Sequence, residues 1–125
     1  METQLIGLGI DVVDVDRFRA VLARTPGVAE RLFTDDEQAY AARHRDPAPR
    51  LAARFAAKEA TMKAMQVGLG AFDFRDVEVV RMDSQAPKLR LSGRAAGLAQ
   101  RLGVSSWQVS LTHGQLVAEA VVIAL

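Results

Sequence analysis

An α+β domain of mainly antiparallel strands, packed against a long central helix and shorter helices, is what the sequence predicts. Three observations carry it. Residues 51–65 form a run of helix-favouring residues without Gly or Pro. Ile6, Leu8, Ile10 and Val12 alternate with Gly7, Gly9 and Asp11 at the period of a strand. Residues 116–125 are nearly all apolar, as in a strand central to its sheet or covered on both faces. The predicted order is β-α-α-α-β-β-α-β-β, in one domain spanning residues 1–125.

Each element has its own signal. In residues 4–15 the two glycines leave one strand face bare just ahead of Asp11, which suits close approach by another backbone or a ligand. Phe18, Val21 and Leu22 repeat at helical spacing, with Asp14 or Asp16 as the N-cap. Thr25-Pro26-Gly27 breaks that helix, and residues 28–33 are a short helical piece not counted in the order above. Thr34-Asp35-Asp36-Glu37 is a capping box opening a helix to about Arg45, with His44 an exposed helix-end residue. Asp46-Pro47-Ala48-Pro49 is a loop, and the long helix follows. Ala53, Ala57, Ala60 and Ala64 form a small-residue stripe along it, and Gly68 and Gly70 stop it. Residues 77–82 and 88–91 pair as a hairpin about a turn at 83–86. Ser92 caps a helix that Gly103 ends, and residues 107–113 and 116–125 are the last two strands.

Composition narrows the function. Sixteen Lys and Arg against fifteen Asp and Glu leave a net charge of +1, no general reason to expect nucleic acid. The absence of cysteine excludes disulfides, thiolate metal sites and a Cys nucleophile. No signal-peptide pattern or membrane-length apolar run is present, so a cytoplasmic protein with no membrane partner is expected.

Candidate chemistry sits on separate elements. Asp11 lies inside a strand, where a buried carboxylate must be paired or bind a cation. Glu59 lies on the long helix among Arg54, Lys58 and Lys63, and Glu59 with Lys63 would make an ordinary solvated i,i+4 pair. His113 ends a strand, where a hydrogen-bonded structural role is the commoner one. Two carboxylates without His or Cys companions suit a hard cation such as magnesium, which takes one or two carboxylates and completes its shell with water and phosphate oxygens. Arg54, Lys58, Lys63 and His113 are suited to phosphates. The residues by themselves point to a magnesium and phosphate site and leave the reaction open.

Three segments add a resemblance. Gly7-Leu8-Gly9-Ile10-Asp11, then Arg54-Phe55-Ala56-Ala57-Lys58-Glu59-Ala60 with Lys63-Ala64, then Ser110-Leu111-Thr112-His113 with Ala118, Ala120 and Val122, resemble the signatures of holo-acyl-carrier-protein synthases, the small bacterial class of 4'-phosphopantetheinyl transferases. Residues 67–106 match only loosely. The resemblance implies the fold of that family and transfer of the phosphopantetheine arm from coenzyme A to a serine of apo acyl carrier protein, with magnesium as cofactor and 3',5'-ADP as by-product. It puts the metal-binding carboxylates on Asp11 and Glu59 and the phosphate-contacting lysine of catalysis on Lys63. Coenzyme A phosphates fall to Arg54 and His113, together with Lys63. The carrier-facing surface falls on Arg17, extended by Phe18 and Arg24. It further implies a homotrimer with active sites at subunit boundaries. Where the family commonly has Gly-x-Pro, this chain has Gln85-Ala86-Pro87, so Gln85 and Ala86 are not counted as site residues; the general base is unassigned. A magnesium-dependent pyrophosphohydrolase, or a non-catalytic carrier-protein or nucleotide-binding module, are the alternatives.

Overall fold

The computed structural model describes residues 4–81 and 86–125. In chain order the elements are β1 (Gly7–Asp14), α1 (Val15–Arg24), α2 (Val28–Leu32), α3 (Asp35–Ala42), α4 (Ala48–Ala64), a 3-10 turn (Phe74–Asp76), β2 (Val77–Val80), β3 (Lys88–Leu91), α5 (Gly93–Leu102), β4 (Trp107–His113) and β5 (Val117–Ala124). The α+β class and the antiparallel pairing are as expected. One three-stranded sheet runs β1-β5-β4, and β2 and β3 form a second sheet. The last strand is indeed central, pairing Asp11 with Ala120 on one side and Leu111 with Ala120 on the other.

α4 is the spine. Its buried alanines, Ala52, Ala53, Ala56, Ala57, Ala60 and Ala64, present a smooth surface to β1 and β5. Gly7 and Gly9 make the contact possible. A Cβ at Gly7 would stand 1.8 Å from the carbonyl oxygen of Ala64, and one at Gly9 1.8 Å from that of Ala60. The bare strand face thus receives a helix backbone. From β5, Ala118, Ala120, Val122 and Ala124 complete the seam. On another flank of α4, Phe18, Phe33, Phe55 and Phe74 form a chain of rings with centroids 5.3–6.1 Å apart, each pair adding about 0.5–1.5 kcal/mol beyond its buried area.

Local chemistry corrects several boundaries. Asp14 is the α1 N-cap, accepting from the Arg17 N–H at 2.9 Å, while Asp16 joins the first turn and pairs with Arg19. Residues 28–32 make a helix of their own, so four helices rather than three precede β2. The capping box is formed by Thr34 and Glu37, but α3 stops at Ala42, three residues short of expectation. α4 begins at Ala48, because proline in the first turn fits a position whose N–H has no helical partner. β2 ends at Val80. Ser92 holds the α5 N-cap position, yet the side-chain bond comes from Asp76, which accepts from the Arg94 N–H at 3.1 Å. Most of the turn expected at 83–86, Gln85 included, lies outside the described residues.

Because the α4–β1 seam is backbone against backbone, no side chain can swing away to admit a new methyl. We expect Gly9→Ala to cost about 2–3 kcal/mol or more, read as a fall in the urea unfolding midpoint, since overpacking here can be relieved only by moving the helix.

Candidate active site

β1 and α4 bring the two expected carboxylates together. Gly7, Gly9 and Asp11 follow one another on the strand face turned to the helix, so the approach that seats α4 on the glycines also sets Asp11 beside it. Glu59 lies within hydrogen-bonding reach of Asp11. Lys63, one helical turn beyond Glu59, crosses to β1. Its ammonium donates to Asp11 Oδ1 at 2.8 Å and to the Ile10 carbonyl at 3.1 Å. Lys63 therefore pairs across the seam rather than along its own helix as the solvated Glu59–Lys63 pair would have it. The Asp11 side chain is 12% exposed and that of Lys63 53%, so the centre opens to solvent on the lysine side.

The electrostatics reflect this crowding. Burial, then the neighbouring Asp11 carboxylate, push the Glu59 carboxyl up to about 7, against a smaller opposing pull from Lys63. The hydrogen bond and charge of Asp11 hold the Lys63 ammonium above its usual value. Two adjacent carboxylates that share one ammonium are short of positive charge. That is the donor set a hard divalent ion completes, with oxygen ligands and no His or Cys. Among the described residues no group of three or more His, Cys, Asp or Glu gathers.

The other expected phosphate ligands lie elsewhere on the same chain. Arg54 precedes Glu59 by five residues, which turns it roughly 140° around the helix. Arg54 and His113 line one cleft, with Tyr40, Arg50 and Arg81. Arg54 is only 3% exposed. Its guanidinium stacks on Tyr40 at 4.4 Å, one nitrogen donates to the Arg50 carbonyl at 3.3 Å, and its buried Nε has no hydrogen-bond partner among the described residues. A buried guanidinium with a free N–H is suited to an incoming anion. His113, at the rim of this positive cluster, is held below its usual value by burial and then by Arg50, Arg54, Arg81 and His44.

Arg17 and Arg24 are exposed at opposite ends of α1, seven residues apart and hence on one face. Phe18 is buried, stacked on Phe55 at 5.3 Å, and lines a groove with Val12, Val13, Val21 and Val117. Arg19 is occupied by Asp16 and Asp46, the latter at 2.6 Å. Arg50, Arg81 and Tyr40 were not singled out in the sequence. They have no motif spacing, because the cleft is assembled from α3, α4, the end of β2 and β4. The one available hint was the Arg43-His44-Arg45 cluster with Arg50 close behind it.

Fold and site together define an α+β domain with a carboxylate pair and lysine on one side of its central helix and a cationic cleft on another. The chain belongs to the 4'-phosphopantetheinyl transferase superfamily, whose family model matches residues 7–123. Within that family it is similar to holo-(acyl-carrier-protein) synthase of Frankia casuarinae, 51% identical over 120 residues, covering 96% of this chain and 97% of the relative. The crystal structure of holo-(acyl-carrier-protein) synthase from Neisseria meningitidis superposes with a TM-score of 0.86 at 27% identity, over 98% of this chain and 99% of that one. The synthase from Bacillus anthracis in complex with CoA (3',5'-ADP) superposes with a TM-score of 0.80 at 29% identity, over 98% and 97%.

The raised Glu59 value has a definite sign. A carboxyl that titrates higher folded than unfolded stabilises the fold below about 4.5, and that contribution is lost as pH rises to about 7. In EDTA, urea unfolding of the chain should therefore fall progressively behind that of Glu59→Gln between pH 4.5 and 7, then run parallel to it. A constant difference across that range would show that Glu59 is not perturbed.

Proposed function

We propose that this chain transfers the 4'-phosphopantetheine arm of coenzyme A to a serine of apo acyl carrier protein, leaving 3',5'-ADP. The single observation that carries this reading is the meeting of Asp11 and Glu59 across the α4–β1 seam with Lys63 beside them. Near-full-length similarity to holo-(acyl-carrier-protein) synthases supports it, as does the CoA complex of the Bacillus anthracis protein.

Asp11 and Glu59 would hold a magnesium ion, whose bound charge would neutralise the diphosphate of coenzyme A. The residues of this chain supply the rest. Lys63 contacts the phosphate that is transferred, and Arg54 and His113 bind the remaining phosphates. The serine oxygen bonds to the phosphorus that carries the pantetheine. The bond from that phosphorus to the bridging oxygen breaks, and 3',5'-ADP leaves with the electron pair. The serine proton passes to a general base as the new bond forms. Arg17 and Arg24 present the positive face that an acidic helix of the carrier protein would meet, with Phe18 and its groove between them.

One chain holds the site in two halves, which supports a homotrimer. Leu8, Ile10 and Val12 are each more than half exposed on β1, and Val121 and Ile123 lie beside them in register on the outer face of the sheet. Packing this face against another copy would bury it, and a cyclic arrangement joins unlike surfaces of neighbouring copies. Such an arrangement would let the cationic cleft of one subunit meet the carboxylate pair of the next. No helix among the described residues is long and apolar enough to cross a membrane, and the cysteine-free composition is in keeping with a cytoplasmic enzyme.

Mass spectrometry of apo carrier protein incubated with coenzyme A, magnesium and the chain should show the gain of one phosphopantetheine arm. Asp11→Asn should abolish it in a folded protein, a loss of roughly 10³-fold or more in rate as expected for an electrostatic group at a phosphoryl site. No gain would reject the transferase; 3',5'-ADP release without carrier would favour the pyrophosphohydrolase, and coenzyme A binding without turnover the non-catalytic module. Light scattering should give three times 13.6 kDa. A monomer mass would remove the shared site, and Ile10→Asp should shift the trimer towards that mass.

A further inference from the structure

Lys58 precedes Glu59 in α4 yet points into the protein. Its ammonium is wholly buried and donates to Glu37 Oε1 at 2.7 Å, to the Phe74 carbonyl at 3.0 Å and to the Val77 carbonyl. Glu37 is 1% exposed. It also accepts from the N–H of Thr34 at 3.0 Å and of Val79 at 2.9 Å. The start of α3, the middle of α4, the 3-10 turn and β2 thus meet on one charge pair. Taking two opposite charges out of water is costly, and an apolar pair of similar volume is commonly as stable. Stability alone is therefore a poor reason for this pair.

The α4–β1 seam supplies a better one. Where Ala60 and Ala64 meet Gly7 and Gly9, almost nothing interdigitates. Such a seam sets how closely the helix lies, but the ridges that would resist rolling are one methyl deep. A carboxylate about 5–6 Å from a helix axis moves roughly 1 Å for every 10° of roll. A misplacement of about 1 Å can cost ~10²-fold in rate.

We infer that Lys58 and Glu37 are positioning residues: their buried pair locks the roll of α4 and holds Glu59 where it meets Asp11. Neither touches the reacting atoms. Polar groups buried in otherwise smooth helical interfaces serve in coiled coils to fix register at some expense of stability, and the same logic applies here. The kinetic side of this role rests on the transferase reading above, whereas cation binding at Asp11 and Glu59 can be measured without it.

The paired variant Lys58→Met with Glu37→Gln removes both charges together and keeps an amide for Thr34 or Val79. With folding verified by circular dichroism, calorimetric titration with magnesium chloride alone should show affinity weakened about 10–100-fold, the usual effect of losing a group that orients a metal ligand. Carrier loading should lose about 30–100-fold in kcat with KM for coenzyme A changed by less than about threefold. A folded variant with wild-type magnesium affinity and kcat overturns the role, as does one whose losses appear only in thermal stability. Should the paired variant not fold, Glu37→Asp makes the same comparison, keeping the charge but shortening the reach by a methylene. Reduced magnesium affinity and kcat are expected there too, and unchanged values overturn the role. Wild-type chain runs alongside: if it fails to load carrier, the transferase reading falls while the magnesium titration still decides the positioning role.

Discussion

The approach of the α4 backbone to the β1 backbone is the constraint on which the rest depends. Two glycines on one strand face and alanines on one helix face remove every side chain that would hold the elements apart. The next residue on the strand face is Asp11, and Glu59 and Lys63 follow on the helix, so closeness of the scaffold becomes closeness of the charges. A conventional core of interlocking leucines would leave the strand and the helix further apart, and these short carboxylates would not meet.

Bringing like charges together has a cost that the fold carries openly. Glu59 is pushed towards neutrality and Lys63 is drawn to Asp11, so the centre is strained towards any additional positive charge. The cationic cleft is its mirror image: burial, then the charges of Arg50, Arg54, Arg81 and His44, hold His113 below its usual value. Helical rotation keeps these two unfavourable clusters on different sides of α4. A divalent cation at the first and an anion at the second would each relieve the local excess of charge.

Much of this was legible before any coordinates. The alternation with Gly7 and Gly9, the capping box at Thr34 and Glu37, and the alanine stripe each report a local rule, and local rules read from sequence. Asp11 stood out because a carboxylate inside a strand needs a partner, and the family resemblance pointed to Glu59 and Lys63. What could not be read was long-range. Lys58 read as one of the phosphate-binding cations, but the packing of α3 and β2 buries its ammonium against Glu37 and removes it from that set. Phe18 read as a surface residue of a basic helix, whereas the ring cluster with Phe33 and Phe55 takes it inward. The Asp76 cap on α5 comes from a residue 18 positions away and has no signature in the sequence around Ser92.

The pairing of β1 with β5 joins Gly7 to Ala124, nearly the full span of the sequence. On a ribosome adding about 5–20 residues per second, β1 emerges seconds before β5, its only strand partner among the described residues, has been made. Until then Leu8, Ile10 and Val12 belong to a strand with both edges open, and α4 has no completed sheet to lie on. Completion of the sheet that supports Asp11 is therefore a late event of biosynthesis, and this loop-closure burden is characteristic of slow-folding topologies.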